Sequence, residues 1–470
     1  MKILMCIFGL TGILSACTVG PSHSPQVLPT PNDWKGGAYI IQNQEQNRPA
    51  QWWTLFNDSL LNHFVEKALR NNHNLGIAQA RISEARALRG ESLADQLPNV
   101  AAKAQATRIR TSRNDLGADA FSTNLSGNRY QIGFDAAWEL DFFGKNRRAT
   151  EAANADLAAQ EADFEALRIT LAAEVTRNYL ELKGLQTRRN ITKKSLNGLQ
   201  QLAKLTELKS DLGLIHITPL TRIQAELKIR EADLYTLNAE IEQNIHRFNI
   251  LIGHKNAVQM DQLQDKAVIP FYDNQLQITV PAKLLRHRPD IIASEQELAA
   301  ATARIGVATA DLYPRLTLLG QAGYLSSSTG ELIQKNSLLG LVGPEIYLPL
   351  FNGGRIRAQI AAADARAQQA LLRFEQTMLS ALQETESALS AWQGAQQQGE
   401  AHQAAFHLSE KNVEIVKQRH ERGLDSFIEV LDTQQFRYIT EDQYATSKVA
   451  SGIALIALLK ATAGAIGAVD

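Results

Sequence analysis

The chain has 470 residues, a formal net charge of −1 and a pI near 6.8. A charge this balanced gives no reason to expect a nucleic-acid partner. The mean hydropathy of −0.21 argues against a protein made of many transmembrane helices. Length alone would allow about three domains.

The first residues form a secretory signal. Lys2 supplies the charge, Ile3 to Leu14 the apolar run, and Leu14-Ser-Ala-Cys17 a small-residue processing site. That site resembles the lipobox of bacterial lipoproteins, in which the cysteine is acylated, for example with palmitate, and becomes the first mature residue. We expect residues 1–16 to be a signal peptide and Cys17 to carry lipid. A plain signal peptide cut near Ala16 and an uncleaved anchor are the alternatives.

Residues 17–50 are expected to be a lipidated N-terminus followed by an extended linker. Five prolines and many polar residues lie between Thr18 and Ala50. In the lipoprotein rule, Thr18 rather than Asp after the cysteine favours the outer membrane over retention at the inner one.

A helix that runs directly into a strand organises the second half of the chain. Pro289 and Asp290 predict the helix start, because proline is tolerated in the first turn and an acid suits the positive end of the dipole. Two rows of residues recur every seven positions: Ile291, Leu298, Ile305 and Leu312, and Ser294, Ala301 and Ala308. After Pro314 the pattern alternates, which predicts a strand.

The same device occurs earlier in the chain, where Leu75 and Ile82 stand in place of Ile291 and Leu298. The match is partial, because Arg89 and Gln96 stand where the second half has the large apolar residues Ile305 and Leu312. We interpret the chain as two similar halves, residues 51–280 and 281–470. Each half is expected to contain a helix, two strands, a long helix and a return helix.

Alternation predicts four strands in all. They span about 97–112, 130–140, 316–326 and 341–350. The second is the clearest, with an apolar face ending in Tyr130 opposed to an acidic face, as a lipid-exposed barrel strand requires. A soluble sheet packed on a core would alternate likewise. Val449 to Val469 is apolar, but Lys460 in its middle favours a buried helix end over a transmembrane helix.

Four strands cannot close a barrel, and open strand edges cannot be left in lipid. The sequence therefore predicts an α+β membrane protein whose barrel is assembled from several chains. The rows of residues that recur every seven positions are rich in alanine, and such helix faces require other helices packed at close distance.

The order of motifs resembles the outer-membrane efflux protein family, the TolC/OprM-like group, and within it the NodT-type lipoprotein branch. The resemblance rests on these stretches: Trp52-Trp53-x-x-Phe56-x-Asp58, Leu251-Ile252-Gly253, Arg288-Pro289-Asp290-Ile291, Ile305-Gly306-x-Ala308-x-Ala310 and Leu348-Pro349-Leu350-Phe351-Asn-Gly-Gly. It implies a homotrimer with a twelve-stranded β-barrel, four strands from each chain, continuous with a twelve-helix coiled-coil tunnel in the periplasm.

The resemblance also implies a function and partners. The chain would be the outer-membrane channel of a tripartite efflux system, a passive exit duct that docks to a periplasmic adaptor (membrane fusion) protein and an inner-membrane pump of the resistance-nodulation-division (RND) type. The protein would be anchored in outer-membrane lipid and extend into the periplasm. A type I secretion duct and a periplasmic coiled-coil structural lipoprotein are the alternatives.

Candidate site residues follow from the same resemblance. Ile428 would narrow the bore at the periplasmic gate, and Glu429 and Asp432 would line it; simple solvated helix acids are the alternative. Gly213 and Gly423 would form the tip turns and contact the adaptor. The residues expected in the barrel lumen are Asp135, Glu139, Asp141 and Glu345.

Enzyme motifs are missing from the sequence. No HExxH, GxSxG or phosphate-loop pattern occurs, and the ten histidines are scattered. We therefore expect no catalysis, no cofactor and no metal site.

Overall fold

The computed structural model describes residues 18–25, 51–110, 126–253, 268–270, 276–277, 287–463 and 467–468. Cys17 and most of the linker lie outside these residues. The helices are α1 Ser59–Asn71, α2 His73–Ala94, α3 Lys145–Asp211, α4 Thr218–Leu251, α5 Pro289–Ala310, α6 Arg355–Glu421 and α7 Phe427–Ala461. The strands are β1 Asn99–Arg110, β2 Ser126–Leu140, β3 Leu276–Gln277, β4 Arg315–Ser326, β5 Leu338–Tyr347 and β6 Gly467–Ala468.

Four strands form one antiparallel sheet in the order β1-β2-β4-β5. Asn99 pairs with Ala137, Leu140 with Leu316, and Arg315 with Tyr347. Because this register keeps alternate residues aligned across all four strands, the sheet has one apolar face and one polar face. The short β3 and β6 form a separate two-stranded pair.

The internal repeat predicted from sequence is present in the elements themselves. α2 and α5 each have 22 residues, β1 and β4 each have 12, and α3 and α6 each have 67. Since the heptad match breaks at Arg89 and Gln96, these equal lengths are stronger evidence for the repeat than the sequence pattern.

The strand limits differ most from the prediction at β2, which begins at Ser126 rather than near Tyr130, and at β5. β5 runs from Leu338 to Tyr347 rather than from Leu341 to Leu350. Between β4 and β5 the chain contains two short 3₁₀ turns, Thr329–Glu331 and Lys335–Ser337. Leu338-Leu339-Gly340 has no apolar–polar alternation, so the start of this strand comes from pairing with β4 and not from local pattern.

The chain divides into two compact units, each described by itself. The sheet unit comprises residues 1–27, 81–161 and 293–375, and the helical unit comprises residues 28–80, 162–292 and 376–470.

The core of the helical unit is built around aromatic side chains. The rings of Trp52 and Trp53 lie edge to face at 5.9 Å, and those of Phe64 and Phe248 at 4.9 Å. α1 contributes Phe64 from a face buried at i, i+3, i+4 and i+7, which is the spacing of an amphipathic helix. The C-terminal end of α7 packs into the same core through Leu455, Ile456, Leu458 and Leu459.

α7 is long and apolar enough to cross a membrane by composition, and half of its most apolar window is buried. Because its last turns lie among core side chains, its apolar residues are accounted for by packing within the helical unit. The sequence-based prediction of a buried helix end agrees with this arrangement.

Equivalent residues in the two halves hold the ends of the return helices. The Asn72 side chain donates from Nδ2 to the carbonyl of Leu251 at 2.9 Å, at the end of α4. The Arg288 guanidinium donates from Nη1 to the carbonyl of Ala461 at 2.6 Å, at the end of α7. Asn72 lies directly before α2 and Arg288 directly before α5. In both halves, the side chain at this position donates a hydrogen bond to a carbonyl at the end of the return helix, from an amide in the first half and from a guanidinium in the second.

Asp58 joins the start of α1 to α3. Its Oδ1 accepts hydrogen bonds from the backbone N–H groups of Leu60 and Leu61 at 2.9 and 3.0 Å, and its Oδ2 accepts from the Tyr179 hydroxyl at 2.9 Å. Burial, together with the hydrogen bond to and charge of Asp58, raises the pKa of Tyr179, so the hydroxyl remains a donor.

We expect Asp58→Ala to lower the free energy of unfolding by about 2–3 kcal/mol, because a helix cap and a buried hydrogen bond are lost together. Tyr179→Phe removes only the hydroxyl and should cost about 1 kcal/mol. Thermal unfolding followed by circular dichroism in detergent measures both. Equal losses in the two variants would contradict the capping role.

Candidate functional site

The polar face of the sheet carries three of the four residues predicted to face the lumen. Asp135 and Glu139 lie on β2 and Glu345 on β5, all on this face. The Gln321 amide donates to Asp135 at 2.8 Å, and the Lys103 ammonium lies 3.7 Å from the same carboxylate. The face is therefore a wall of paired and unpaired polar groups suited to contact with water.

Asp141 has a different position. It follows the last residue of β2, and its carboxylate accepts hydrogen bonds from the Arg147 backbone N–H at 2.8 Å and from Arg147 Nε at 3.3 Å. Both bonds hold the first turn of α3, where an acid also suits the helix dipole. The structure thus gives Asp141 a local role at the helix start, and its lumen role stays a prediction.

The opposite face of the sheet is apolar and exposed. Phe134 is 60 % exposed, Val342 79 % and Ile346 70 %. On β2 these apolar side chains alternate with a polar row, and the exposed aliphatic and aromatic side chains give this face the composition of a lipid-facing surface.

A charged cleft of about 200 Å³ lies where the strands meet the helices of the sheet unit. The Lys145 ammonium, on the first residue of α3, contacts Asp311 at 2.6 Å, immediately after α5. Arg315 lies 3.4 Å from the same carboxylate, and the rings of Phe143 and Tyr313 stack at 4.7 Å. These contacts join β2 and α3 to α5 and β4 within one chain.

The amino-terminal strap, residues 18–25, binds to the sheet unit. The Val19 N–H donates to the Phe143 carbonyl at 3.1 Å. Arg148, only 4 % exposed, donates to the carbonyls of Val19 and Gly20 at 3.3 and 3.2 Å and to the Ser22 hydroxyl at 3.2 Å. The sequence analysis missed Arg148, because nothing in its local pattern distinguishes it from neighbouring arginines.

Glycine is required where the strap crosses α5. Gly20 has a φ of +88°, and a Cβ there would collide with the Cα of Gly306. The Thr18 methyl group likewise occupies the space beside Gly144. Thr18 is thus held at the β2–α3 junction, directly after the predicted lipidation site.

We expect Arg148→Ala and Gly20→Val to release the strap. The first removes three hydrogen bonds, and the second places a branched side chain against backbone at a positive φ. Limited proteolysis followed by mass measurement of the amino-terminal fragment should show cleavage within residues 18–25 at least several-fold faster than in wild type.

Arg86→Ala is the matched control, because Arg86 lies in the same unit and its contact with Glu161 at 3.6 Å is exposed on both sides. Unchanged cleavage in both strap variants would contradict the assignment.

The two helix tips have the same backbone geometry. Gly213 and Gly423 have φ values of +69° and +74°, and the N–H groups of Leu214 and Leu424 each donate at 2.9 Å to a carbonyl five residues earlier. This is the glycine-dependent way to end a helix. Adaptor contact at these glycines stays a prediction.

The second tip carries an additional ion pair. Arg419 donates to both carboxylate oxygens of Asp425 at 2.7 and 2.9 Å, and His420 Nδ1 donates to the Asp425 carbonyl at 2.9 Å. The hydrogen bond from Arg419 lowers the pKa of Asp425. The Ser426 hydroxyl then accepts from the Glu429 N–H at 3.2 Å and caps α7.

The predicted gate residues lie in the first turns of α7. Glu429 and Asp432 are exposed and one turn apart, hence on one side of the helix. Ile428 is half-buried and packs against a cluster of Leu199, Leu202, Ile223 and Leu431 in its own chain. Phe436, one turn beyond Asp432 and 56 % exposed, was not singled out from sequence. The narrowing role of Ile428 stays a prediction.

Across the described ranges, no group of three or more His, Cys, Asp or Glu side chains is arranged to hold a metal ion. The acidic residues described above are spread along one face of the sheet and one side of α7. This arrangement is typical of residues that line a channel rather than of residues that converge on a reaction centre.

Known proteins resemble the chain along nearly its whole length. A family model described as "Outer membrane efflux protein" matches residues 64–254 and 280–464. The chain is 30 % identical over 470 aligned residues to "Outer membrane protein OprJ" of Pseudomonas aeruginosa, which covers 97 % of this chain and 96 % of that protein. It is 26 % identical over 433 residues to "Nodulation protein T" of Rhizobium leguminosarum bv. trifolii, with 92 % and 91 % covered.

The solved structure of the outer-membrane channel OprN is similar, with a TM-score of 0.82 and 32 % identity over 95 % of this chain and 99 % of that one. The predicted fold class is confirmed: each chain supplies four strands and long paired helices to a trimeric channel in the outer membrane. The chain belongs to the outer membrane efflux protein family.

Proposed function

We propose that three copies of this chain form the passive outer-membrane exit duct of a tripartite efflux system that carries drugs or other small molecules. A periplasmic adaptor and an inner-membrane pump of the RND type would deliver the cargo and supply the energy. The duct itself would perform no chemical step.

The observation that carries the proposal is the two-faced sheet of only four strands. Its apolar face suits lipid, its polar face suits water, and one chain cannot close a pore. Family membership supports efflux over the structural-lipoprotein alternative, because a coiled-coil tether needs no lipid-facing sheet. Type I secretion remains the second candidate for a duct of this form.

Susceptibility profiling tests the physiological role. Deleting the gene should make the cell more sensitive to several toxic small compounds, and restoring the gene should reverse this. Loss of secretion of a protein, with unchanged tolerance to every compound, would favour type I secretion instead.

The periplasmic entrance is proposed to lie at the start of α7. Glu429 and Asp432 are exposed on one side of the helix, and three copies would form two rings of like charge. Such rings attract cations. In the first half, the position equivalent to Asp432 is Arg222, so α4 offers no carboxylate at the equivalent position.

We expect Asp432→Asn to lower cation selectivity and weaken block by divalent ions in planar bilayers, because three carboxylates leave the bore. Asp211→Asn is the matched control, since Asp211 is an exposed acid at the end of α3 beside the first tip. If Asp432→Asn conducts with wild-type selectivity and block, Asp432 does not line the entrance.

The tips are proposed to be the adaptor-binding sites. Gly423→Val should weaken assembly with the adaptor, since a β-branched residue in the left-handed region costs roughly 1–2 kcal/mol and displaces the turn. Gly394→Ala on α6 is the control, because a Cβ there meets nothing within 4 Å.

Drug tolerance in the complemented deletion strain, together with adaptor pull-down, measures the effect. Wild-type values for Gly423→Val in both assays would place adaptor binding elsewhere.

A further inference from the structure

Two cations lie on the apolar face of the sheet. This face carries alternate residues of β1, β2, β4 and β5, which the strand register keeps aligned. On these four strands, as the structure describes them, the charged residues of the face are Arg108 and Arg110 of β1. Its other members there are apolar, aromatic, or polar without charge. A surface otherwise suited to hydrocarbon therefore contains one pair of positive charges in each chain.

The pair lies at the end of the sheet that is away from the helices of the sheet unit. β1 begins at Asn99, shortly after α2, and β2 ends at Leu140, shortly before α3. Arg110, the last residue of β1, pairs with Ser126, the first residue of β2. Since the channel stands in the outer membrane with its helices on the periplasmic side, the Arg110 end of the sheet reaches the outer leaflet.

Aromatic side chains mark the edges of the lipid-facing band. Trp138 lies on the apolar face toward the helices, whereas Tyr130 and Tyr324 lie on it toward the other end. The strand from Leu140 to Tyr130 rises about 33 Å, which at a tilt of about 40° corresponds to a band about 25 Å tall. Outer-membrane barrels have an apolar band of this height, bordered by aromatic residues at both interfaces. Tyr130 therefore lies at the outer boundary of the hydrocarbon.

The two arginines lie beyond that boundary. Ala106 pairs with Tyr130. Arg108 and Arg110 follow Ala106 on the same face, about 5 and 10 Å farther out along the membrane normal. A cation on the lipid-facing side of a barrel is strongly unfavourable at the midplane and tolerated near the interface. At this depth both side chains meet lipid headgroups rather than acyl chains.

The described residues supply no partner for either guanidinium. Arg108 and Arg110 are exposed, and neither takes part in an ion pair or a hydrogen bond within the described part of the chain. The cross-strand neighbour of Arg108 is Asn128, which is also exposed and whose amide is a further donor. Over these residues the surface offers positive charge and hydrogen-bond donors without a carboxylate, which suits an anion.

We propose that Arg108 and Arg110 bind the phosphate groups of lipopolysaccharide, the glycolipid of the outer leaflet. A guanidinium presents its donors in a planar fork that binds phosphate through two parallel hydrogen bonds. The two arginines are separated by about 7 Å along the strand, so both reach the headgroup of one lipid molecule. This inference depends on the outer-membrane location of the sheet and is independent of what the duct carries.

The uneven distribution of charge favours this glycolipid over the phospholipid of the inner leaflet. At its helical end the apolar face carries Val100, Trp138, Leu140 and Leu316, and the described strands place no cation among them. A surface selecting phospholipid phosphate would need its cations at that end, next to the periplasmic headgroups.

The internal repeat shows that the pair belongs to the first half alone. Asn99 pairs with Ala137, and Arg315 pairs with Tyr347 at the matching place in the second half, so β1 and β4 correspond from their first residues. Counted from there, Tyr324 and Ser326 are the equivalents of the two arginines. Each chain therefore brings one site, and a trimer would bind one lipid molecule per subunit.

Lipid binding by the full-length trimer in detergent tests the proposal. The probe is lipid A with both of its phosphates, and native mass spectrometry counts the molecules that each trimer retains. We expect the wild type to retain one per subunit. Arg108→Gln combined with Arg110→Gln should retain at least several-fold less, because the charge and the paired donors are lost.

Arg129→Gln is the matched control. Arg129 is exposed and pairs with Thr107 between the rows of the two arginines, but it lies on the polar face of β2. It should bind lipid A as the wild type does. Arg108→Lys with Arg110→Lys should retain more lipid A than the glutamine variant, since lysine keeps the charge and loses the planar fork.

Three results would overturn the proposal. Equal retention by the wild type and the double glutamine variant removes the site. Equal retention of lipid A and of lipid A stripped of its phosphates removes the phosphate contact. Equal retention of phosphatidylglycerol removes the preference for the outer-leaflet glycolipid.

The intact trimer band and the bilayer conductance of the double glutamine variant show whether it folds, and both should equal the wild-type values. If that variant forms no trimer, the wild type alone decides. Its retention of phosphorylated lipid A should then fall several-fold at high salt, because salt screens exposed charges, while retention of the stripped lipid stays unchanged. Salt-independent retention of both lipids would refute the contact.

Discussion

Every backbone N–H and C=O group in a lipid-embedded strand must find a partner within protein, because hydrocarbon offers none. This requirement governs the sheet unit. Within one chain, β2 and β4 satisfy it on both sides, whereas β1 and β5 satisfy it on one. The remaining features follow: exposed apolar residues lie on one face and polar groups on the other. An isolated chain would leave both the unpaired strand edges and the apolar face of the sheet without suitable partners.

The internal repeat shows which parts of the chain must stay alike and which are free to differ. The helix lengths, strand register and glycine-ended tips are kept in both halves. The differences lie where one half has an additional task. Gly306 on α5 receives the amino-terminal strap, and only the second tip has the Arg419–Asp425 pair. The two halves therefore share a scaffold but not their local contacts.

Regular periodicity made most of the fold predictable from sequence. Rows repeating every seven residues identified α5, and alternation identified β2 and β4, because each such pattern reflects one buried or lipid-facing side. The start of β5 was missed since its residues carry no alternation and are ordered by pairing with β4. Asp141 was grouped with the lumen residues of β2 because alternation continues one residue past the end of the strand at Leu140. The site was less predictable, because Arg148 acts on Val19 across 129 residues and no local pattern encodes such a contact. Likewise, whether Ile428 faces a bore or its own neighbours depends on packing with α3 and α4.

The spacing between equivalent residues of the two halves changes at a single place, within the hairpins. Asn99 and Arg315 are equivalent, as are Ala137 and Tyr347, but the first two lie farther apart along the chain than the second two. The connection from β1 to β2 is therefore longer than the connection from β4 to β5, yet both hairpins keep the same alignment. The length of the loop that joins the two strands of a hairpin therefore does not affect how those strands are aligned. Insertions there, whether by evolution or by epitope grafting, would alter the exposed rim and leave the wall unchanged.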